Sequence, residues 1–179
     1  QRIVDGLKKF DIGGLVISGG DDTGSVVVDL TNHDIPCVHS PKTMDLDLQT
    51  YSVGGDSTIS RIATFARDLR TTGQTHNRVI VMEVFGRYAG FTALQPTMAG
   101  AANRCVIPEH PFDIEHLCEL LSRDREKNPS NYSVVLVSEG ATFTGESDMV
   151  FEDNEKDMYG HKKLGGVGDR VARALRECS

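Results

Sequence analysis

Short, continuous apolar runs alternate along the chain with longer stretches whose apolar positions recur every three or four residues. Ile3, Val4, Leu7 and Phe10 have helical spacing, Gly13-Gly14 interrupts it, and Leu15-Val16-Ile17 follows as a strand. A glycine-rich loop, Ser18 to Gly24, then leads into a covering helix beginning around Val26 to Leu30, and Ile35 to Val38 reads as the next buried strand. Tyr51 to Asp56 is a glycine-containing loop. Ser57 or Thr58 can cap a helix with an apolar stripe of Ile59, Ile62, Phe65, Ala66 and Leu69, which Thr71-Thr72-Gly73 ends.

The second half repeats the alternation. Arg78 to Phe85 is a strand, and a small-residue helix from about Tyr88 to Gly100 carries Pro96, which should kink or break it. Arg104 to Ile107 is a short strand, and Asp113 can cap a helix presenting Ile114, Leu117, Cys118 and Leu121, closed by Pro129. Ser133 to Ser138 is the clearest buried strand. Thr142 to Asp157 reads as an acidic loop, and a last helix begins near Val167 with Val171, Ala174 and Leu175 inward.

Strands that are continuously apolar belong in parallel sheets covered on both faces. The expected class is therefore α/β, with Rossmann-like three-layer α/β/α lobes and mostly parallel sheets. The glycines near Val53 to Gly55 mark the expected boundary between a lobe of residues 1–53 and one of residues 54–179.

Composition narrows the function. The chain has 179 residues, 39% of them hydrophobic, which is enough for a core. A net charge of -7 argues against a sequence-independent grip on nucleic acid, which needs clustered Lys and Arg. No apolar run is long enough to span a bilayer. Cys37, Cys105, Cys118 and Cys178 form no CxxC pair, and three of them lie in apolar patterns, so free thiols in a reducing, cytoplasmic setting are expected. His33, His39, His76, His110, His116 and His161 are scattered, with no zinc-like spacing.

Two stretches carry the chemistry. In SGGDDT, glycines at a strand-to-helix turn let backbone N–H groups approach phosphate oxygens, and a carboxylate there can hold Mg2+; an ordinary tight turn with solvated acids has the same composition. In SPKTMDLD, Lys42 can neutralise a leaving phosphate, Thr43 can donate to a transferred phosphoryl group, and Asp45 can take a proton from an attacking hydroxyl. Consecutive parallel strands can bring both loops to one sheet edge. Gly86-Arg87 and Glu139, also at strand ends, can serve an acceptor's phosphate and hydroxyls.

In this order, SGGDDT, PKTMDLD, NRVIVMEVFGRYAG and VVLVSEG resemble the phosphofructokinase family over nearly the whole chain, and its pyrophosphate-dependent branch in particular. ATP users typically have glycine at the places of Asp22 and Lys42. A carboxylate at Asp22 would fill and charge the space of an ATP α-phosphate while leaving room for pyrophosphate. The resemblance implies a partial phosphofructokinase fold and Mg2+-dependent phosphoryl transfer from pyrophosphate to fructose 6-phosphate. The alternatives are an ATP-dependent enzyme and a non-catalytic regulatory subunit of the same fold.

Carried over by position, the resemblance makes Asp45 the general base, Thr43 a contact to the transferred phosphoryl group, and Asp47 a supporting residue of the site. Gly19, Gly20, Asp22, Thr23 and Lys42 would bind the donor, with Asp21 serving Mg2+. Phe85, Gly86, Arg87 and Glu139 would bind the sugar. Arg78 would reach the sugar phosphate of a neighbouring subunit, implying a homo-oligomer, dimer or tetramer. Leu46 stands where the family usually has Asn, Phe85 where it has Met, and Gly54-Gly55-Asp56-Ser57 replaces Gly-Phe-x-Thr. The chain starts with Gln1, and the family's first glycine loop would precede it while further His and Arg contacts would follow Ser179. It is expected to be an internal piece whose complete active site needs the intact protein.

Overall fold

The computed structural model describes residues 2–45, 53–147, 149–156 and 162–178. The chain divides into two compact units, residues 1–55 and 56–179.

In the first unit, helix α1 (Arg2–Lys9) leads to strand β1 (Leu15–Gly19), helix α2 (Asp21–Asn32) and strand β2 (Cys37–Pro41). The two strands pair in parallel from Leu15 opposite Cys37 to Gly19 opposite Pro41. Val4 and Leu7 of α1 and Leu30 of α2 bury themselves with Ile35 against Leu15, Ile17 and Cys37. Both helices therefore cover the same face of the strand pair, and the cross-strand partners Val16 and Val38 on the other face are 78% and 63% exposed.

Two boundaries differ from the sequence expectation. Helix α2 starts at Asp21, so Asp21, Asp22 and Thr23 form its first turn instead of a loop. Strand β2 starts at Cys37, not Ile35, because Ile35 completes the end of α2. Asp34 takes a left-handed φ of 60°, and the N–H groups of Ile35 and Asp34 donate to the carbonyls of Leu30 and Thr31. This is a Schellman closure, with its usual apolar contact made by Ile35 and Leu30.

The second unit opens with helix α3 (Gly55–His76), then strand β3 (Val79–Val84), helix α4 (Phe91–Met98), strand β4 (Arg104–Val106), helix α5 (Ile114–Lys127) and strand β5 (Ser133–Ser138). Strands β6 (Phe151–Lys156) and β7 (Lys162–Leu164) precede helix α6 (Val167–Glu177). The parallel sheet has the order β3-β5-β4, with β5 in the centre and every one of its residues buried. Val134 and Leu136 face Ile62 and Ala66 of α3 and Ala93 of α4; Val135 and Val137 face Leu117 and Leu121 of α5 and Val171 of α6. Helices thus cover both faces, which is why the β5 run is uniformly apolar.

Helix α3 runs past Gly73, which the sequence reading took as its end. A Cβ at Gly73 would lie 2.8 Å from Ile80 Cδ1, so this glycine permits close packing. The helix ends at His76, and Asn77 (φ 53°) closes it: the N–H groups of Arg78 and Asn77 donate to the carbonyls of Gly73 and Gln74 in another Schellman closure. Phe65 and Leu69 are exposed, and Ile62, Ala63 and Ala66 form the buried stripe. The acidic stretch expected as loop contains β6, paired antiparallel with β7. Asp113 caps α5 as expected, its Oδ1 accepting from the His116 N–H at 2.9 Å. Pro96 lies inside α4, which ends two residues later.

The four cysteines are free, with Cys118 buried and Cys178 exposed. Burial, reinforced by Cys178, pushes the Cys118 thiol up to about 11, so it remains protonated at neutral pH. Among the described residues, no helix is long and apolar enough to cross a membrane.

Leu136 is fully buried on the central strand. Leu136→Ala should lower stability by about 2–5 kcal/mol through lost burial and a residual cavity. Urea unfolding should show a reduced midpoint with an unchanged slope.

Candidate active site

In the first unit, parallel pairing brings the ends of β1 and β2 side by side. The last rung is the Lys42 N–H donating to the Gly19 carbonyl at 2.9 Å. Lys42 leaves the sheet directly after Pro41, so the charged group does follow a strand's carboxyl end. Its side chain is exposed, and Asp22 in the first turn of α2 is half-buried.

The turn after β1 is tightest at Gly19. A Cβ at Gly19 would fall 2.2 Å from Thr23 Oγ1, so the Thr23 side chain occupies the space above Gly19. Gly20 faces Thr43, 3.7 Å from where a Cβ would sit to the Thr43 Cβ, which puts the two turns in direct contact. Gly20 is also the N-cap of α2 and supplies no side-chain cap. Its neighbours Asp21 and Asp22 set two carboxylates against the positive helix end.

The Thr43 hydroxyl donates to Asp45 Oδ2 at 2.9 Å, and the Asp45 N–H donates to Thr43 Oγ1 at 3.2 Å. This reciprocal pair holds the Asp45 carboxylate in one orientation. A phosphoryl oxygen approaching Thr43 would compete with Asp45 for the hydroxyl proton. Asp47 and Leu46 lie outside the described residues.

His39 is the residue here that sequence reading passed over. Its Nε2 lies 3.1 Å from the Gly19 carbonyl oxygen. The alternation of β2 was the available signal, since it puts Cys37, His39 and Pro41 on one half-buried face.

In the second unit, the turn after β3 meets the end of β5. The Glu139 N–H donates to the Val84 carbonyl at 2.9 Å and the Gly140 N–H to the Gly86 carbonyl at 3.0 Å. Gly86 has φ 144°, and a Cβ there would lie 2.8 Å from the Ala89 carbonyl oxygen. The Thr92 hydroxyl donates to the Phe85 carbonyl. Phe85, Gly86, Arg87 and Glu139 are thereby brought together, and the Arg87 Nε is buried without a hydrogen-bond partner among the described residues.

Arg78 is not part of that group. It precedes β3, at the opposite end of the strand, and lines a cleft of about 540 Å³ with Arg125 and Arg176 over Val79, Val81, Ala172 and Leu175.

The sequence matches the family model described as Phosphofructokinase over residues 1–178. The chain belongs to the phosphofructokinase family. It is 42% identical to the pyrophosphate–fructose 6-phosphate 1-phosphotransferase of Streptomyces coelicolor, covering 99% of this chain and 52% of that protein. It is also 40% identical to the ATP-dependent 6-phosphofructokinase of Corynebacterium efficiens, covering 96% of this chain and 50% of that one. The crystal structure of the pyrophosphate-dependent phosphofructokinase from Nitrosospira multiformis superposes with a TM-score of 0.74 at 25% identity, covering 98% of this chain and 44% of that one. The chain thus spans about half the length of the curated relatives it matches, and its α/β architecture with parallel sheets is that of the phosphofructokinase fold.

In this family member, Gly140 is sterically required. A Cβ there would lie 1.9 Å from the Arg87 carbonyl oxygen, which is backbone and has little room to yield. Gly140→Ala should displace the Arg87 turn and destabilise the protein by roughly 1–3 kcal/mol. Thermal and urea melts would measure this, and unchanged values would show that the turn relaxes freely.

Proposed function

We propose that the protein containing this chain transfers a phosphoryl group from pyrophosphate to the 1-hydroxyl of fructose 6-phosphate, giving fructose 1,6-bisphosphate and phosphate. The observation carrying this reading is the first unit's pair of turns: Asp22 in the first turn of α2 and Lys42 and Asp45 in the turn after β2, with the Lys42 N–H tied to the Gly19 carbonyl. Lobe roles follow: residues 1–53 serve the donor and residues 54–179 the sugar phosphate.

Asp45 takes the proton of the sugar hydroxyl as its oxygen attacks phosphorus, and the bond to the leaving phosphate breaks with its electron pair on the bridging oxygen. Thr43 orients Asp45 and contacts the transferred group, and Lys42 offsets charge on the leaving phosphate. Asp47 supports this site. Gly19, Gly20 and Thr23 shape the donor's seat. The exposed carboxylate of Asp21 in the first turn of α2 suits Mg2+, a cation commonly held by one or two carboxylates together with substrate phosphates. When bound, Mg2+ would neutralise phosphate charge beside carboxylates that otherwise repel it.

Arg87 and Glu139 take the sugar's charged and hydroxyl groups beside Phe85 and Gly86, and the unpartnered Arg87 Nε supports an anionic ligand there. Arg78, at the other end of β3, serves a neighbouring subunit's sugar phosphate, so the protein is a homo-oligomer, dimer or tetramer. Four free thiols fit the reducing cytoplasm, where glycolysis runs.

The donor is the finer point, because relatives of similar identity are named for pyrophosphate and for ATP. Asp22 favours pyrophosphate: its carboxylate would repel an α-phosphate, and Lys42 adds a cation suited to the smaller donor. Assay of the intact protein with each donor decides between these readings, and turnover with ATP alone would reverse the assignment. Turnover with neither donor would leave the regulatory-subunit reading.

Asp45→Ser should cut kcat by about two to four orders of magnitude, as for loss of a general base, while leaving sugar binding measured by calorimetry nearly unchanged. Asp22→Gly combined with Lys42→Gly should raise the kcat/KM ratio of ATP to pyrophosphate by roughly ten- to hundredfold. Steady-state kinetics with both donors would read this change directly.

A further inference from the structure

The Gly19 carbonyl accepts two hydrogen bonds, one from the Lys42 N–H at 2.9 Å and one from the His39 ring at 3.1 Å. A carbonyl oxygen can only accept, so His39 Nε2 is the donor in this bond. The first bond belongs to the strand pairing. The second is a side-chain addition, reaching from a position opposite Ile17 to the end of β1.

The same imidazole lies against the first turns of α2. A Cβ at Gly24 would be 3.2 Å from His39 Cε1 and 3.4 Å from Nδ1, so Gly24 leaves just the room the ring fills. His39 therefore touches both sides of the β1–α2 turn, the Gly19 carbonyl before it and Gly24 after it. Because the peptide is planar and trans, holding the Gly19 oxygen toward β2 also fixes the opposite direction of the Gly20 N–H. Gly20 has no side chain to perform that task, and no side chain caps the N-terminus of α2.

We infer that His39 is a positioning residue for the phosphoryl donor, clamping the Gly19–Gly20 peptide and the start of α2 in the orientation that receives donor phosphate. This rests on the reading of the two turns as a phosphoryl-transfer site. The clamp acts on the donor's seat, so its loss weakens donor binding and leaves the sugar's binding unaffected.

The test compares His39→Leu, which removes the donor, with His39→Gln, whose amide nitrogen can replace Nε2, in the intact protein. With pyrophosphate as donor, His39→Leu should raise the donor KM about three- to tenfold, the worth of one neutral hydrogen bond. The fructose 6-phosphate KM and kcat should stay within about twofold, and His39→Gln should recover most of the loss. An unchanged donor KM overturns the proposal, as does a rise in both Michaelis constants that tracks a lowered Tm. If the unmodified protein turns over with neither pyrophosphate nor ATP, the functional reading falls, and amide hydrogen exchange judges the clamp separately. Faster exchange confined to Gly20 through Gly24 in His39→Leu, reversed in His39→Gln, supports the clamp, and unchanged exchange there overturns it.

Discussion

The parallel pairing of β1 with β2 is the constraint on which the first unit's candidate site depends. Five register pairs carry the strands from Leu15 and Cys37 to Gly19 and Pro41, and the next rung ties Lys42 to the Gly19 carbonyl. Two turns separated by some twenty residues of sequence therefore leave the sheet together. A slip of β2 by one residue against β1 would turn Cys37 away from the face that Leu15 and Ile17 present to α1 and α2, so the same apolar contacts that stabilise the unit also hold Lys42 beside the start of α2. Side-chain burial and site geometry are here the same requirement.

The alternation of strand and helix was readable from apolar periodicity, and β5 most plainly, because both of its faces are buried. What periodicity missed were helix ends. Gly13 and Gly73 suggested terminators, whereas α1, α2 and α3 are closed by Asp11, Asp34 and Asn77, which follow their last residues and all have left-handed φ. Asp and Asn tolerate that conformation better than other side-chain-bearing residues, and a reading tuned to glycine passes over them. The cost was two residues in the start of β2, where Ile35 serves the end of α2 before the strand begins.

Candidate site residues could be proposed from the sequence where their chemistry is in the side chain, as with Lys42, Thr43 and Asp45. They were less legible where the function is backbone placement. Nothing in the letters says that Thr23 fills the space over Gly19, or that His39 reaches the same carbonyl as Lys42. Phe85 illustrates the same limit: its carbonyl accepts the Thr92 hydroxyl, an interaction that any residue at that position could offer.

The second unit uses the same device with different hardware. Glu139 and Gly140 extend the β3–β5 ladder beyond the strands, their N–H groups reaching the Val84 and Gly86 carbonyls. Two glycines are needed there for distinct reasons, Gly86 because of its φ and Gly140 because the Arg87 carbonyl occupies the space of a Cβ. In both units the ladder runs one or two residues past the strand ends. A charged side chain placed there inherits the rigidity of the sheet, while a polypeptide loop of the same length would have to lose conformational entropy each time it bound an anion. That difference favours Lys42 and Glu139, which directly follow β2 and β5, as anchors for an anionic ligand.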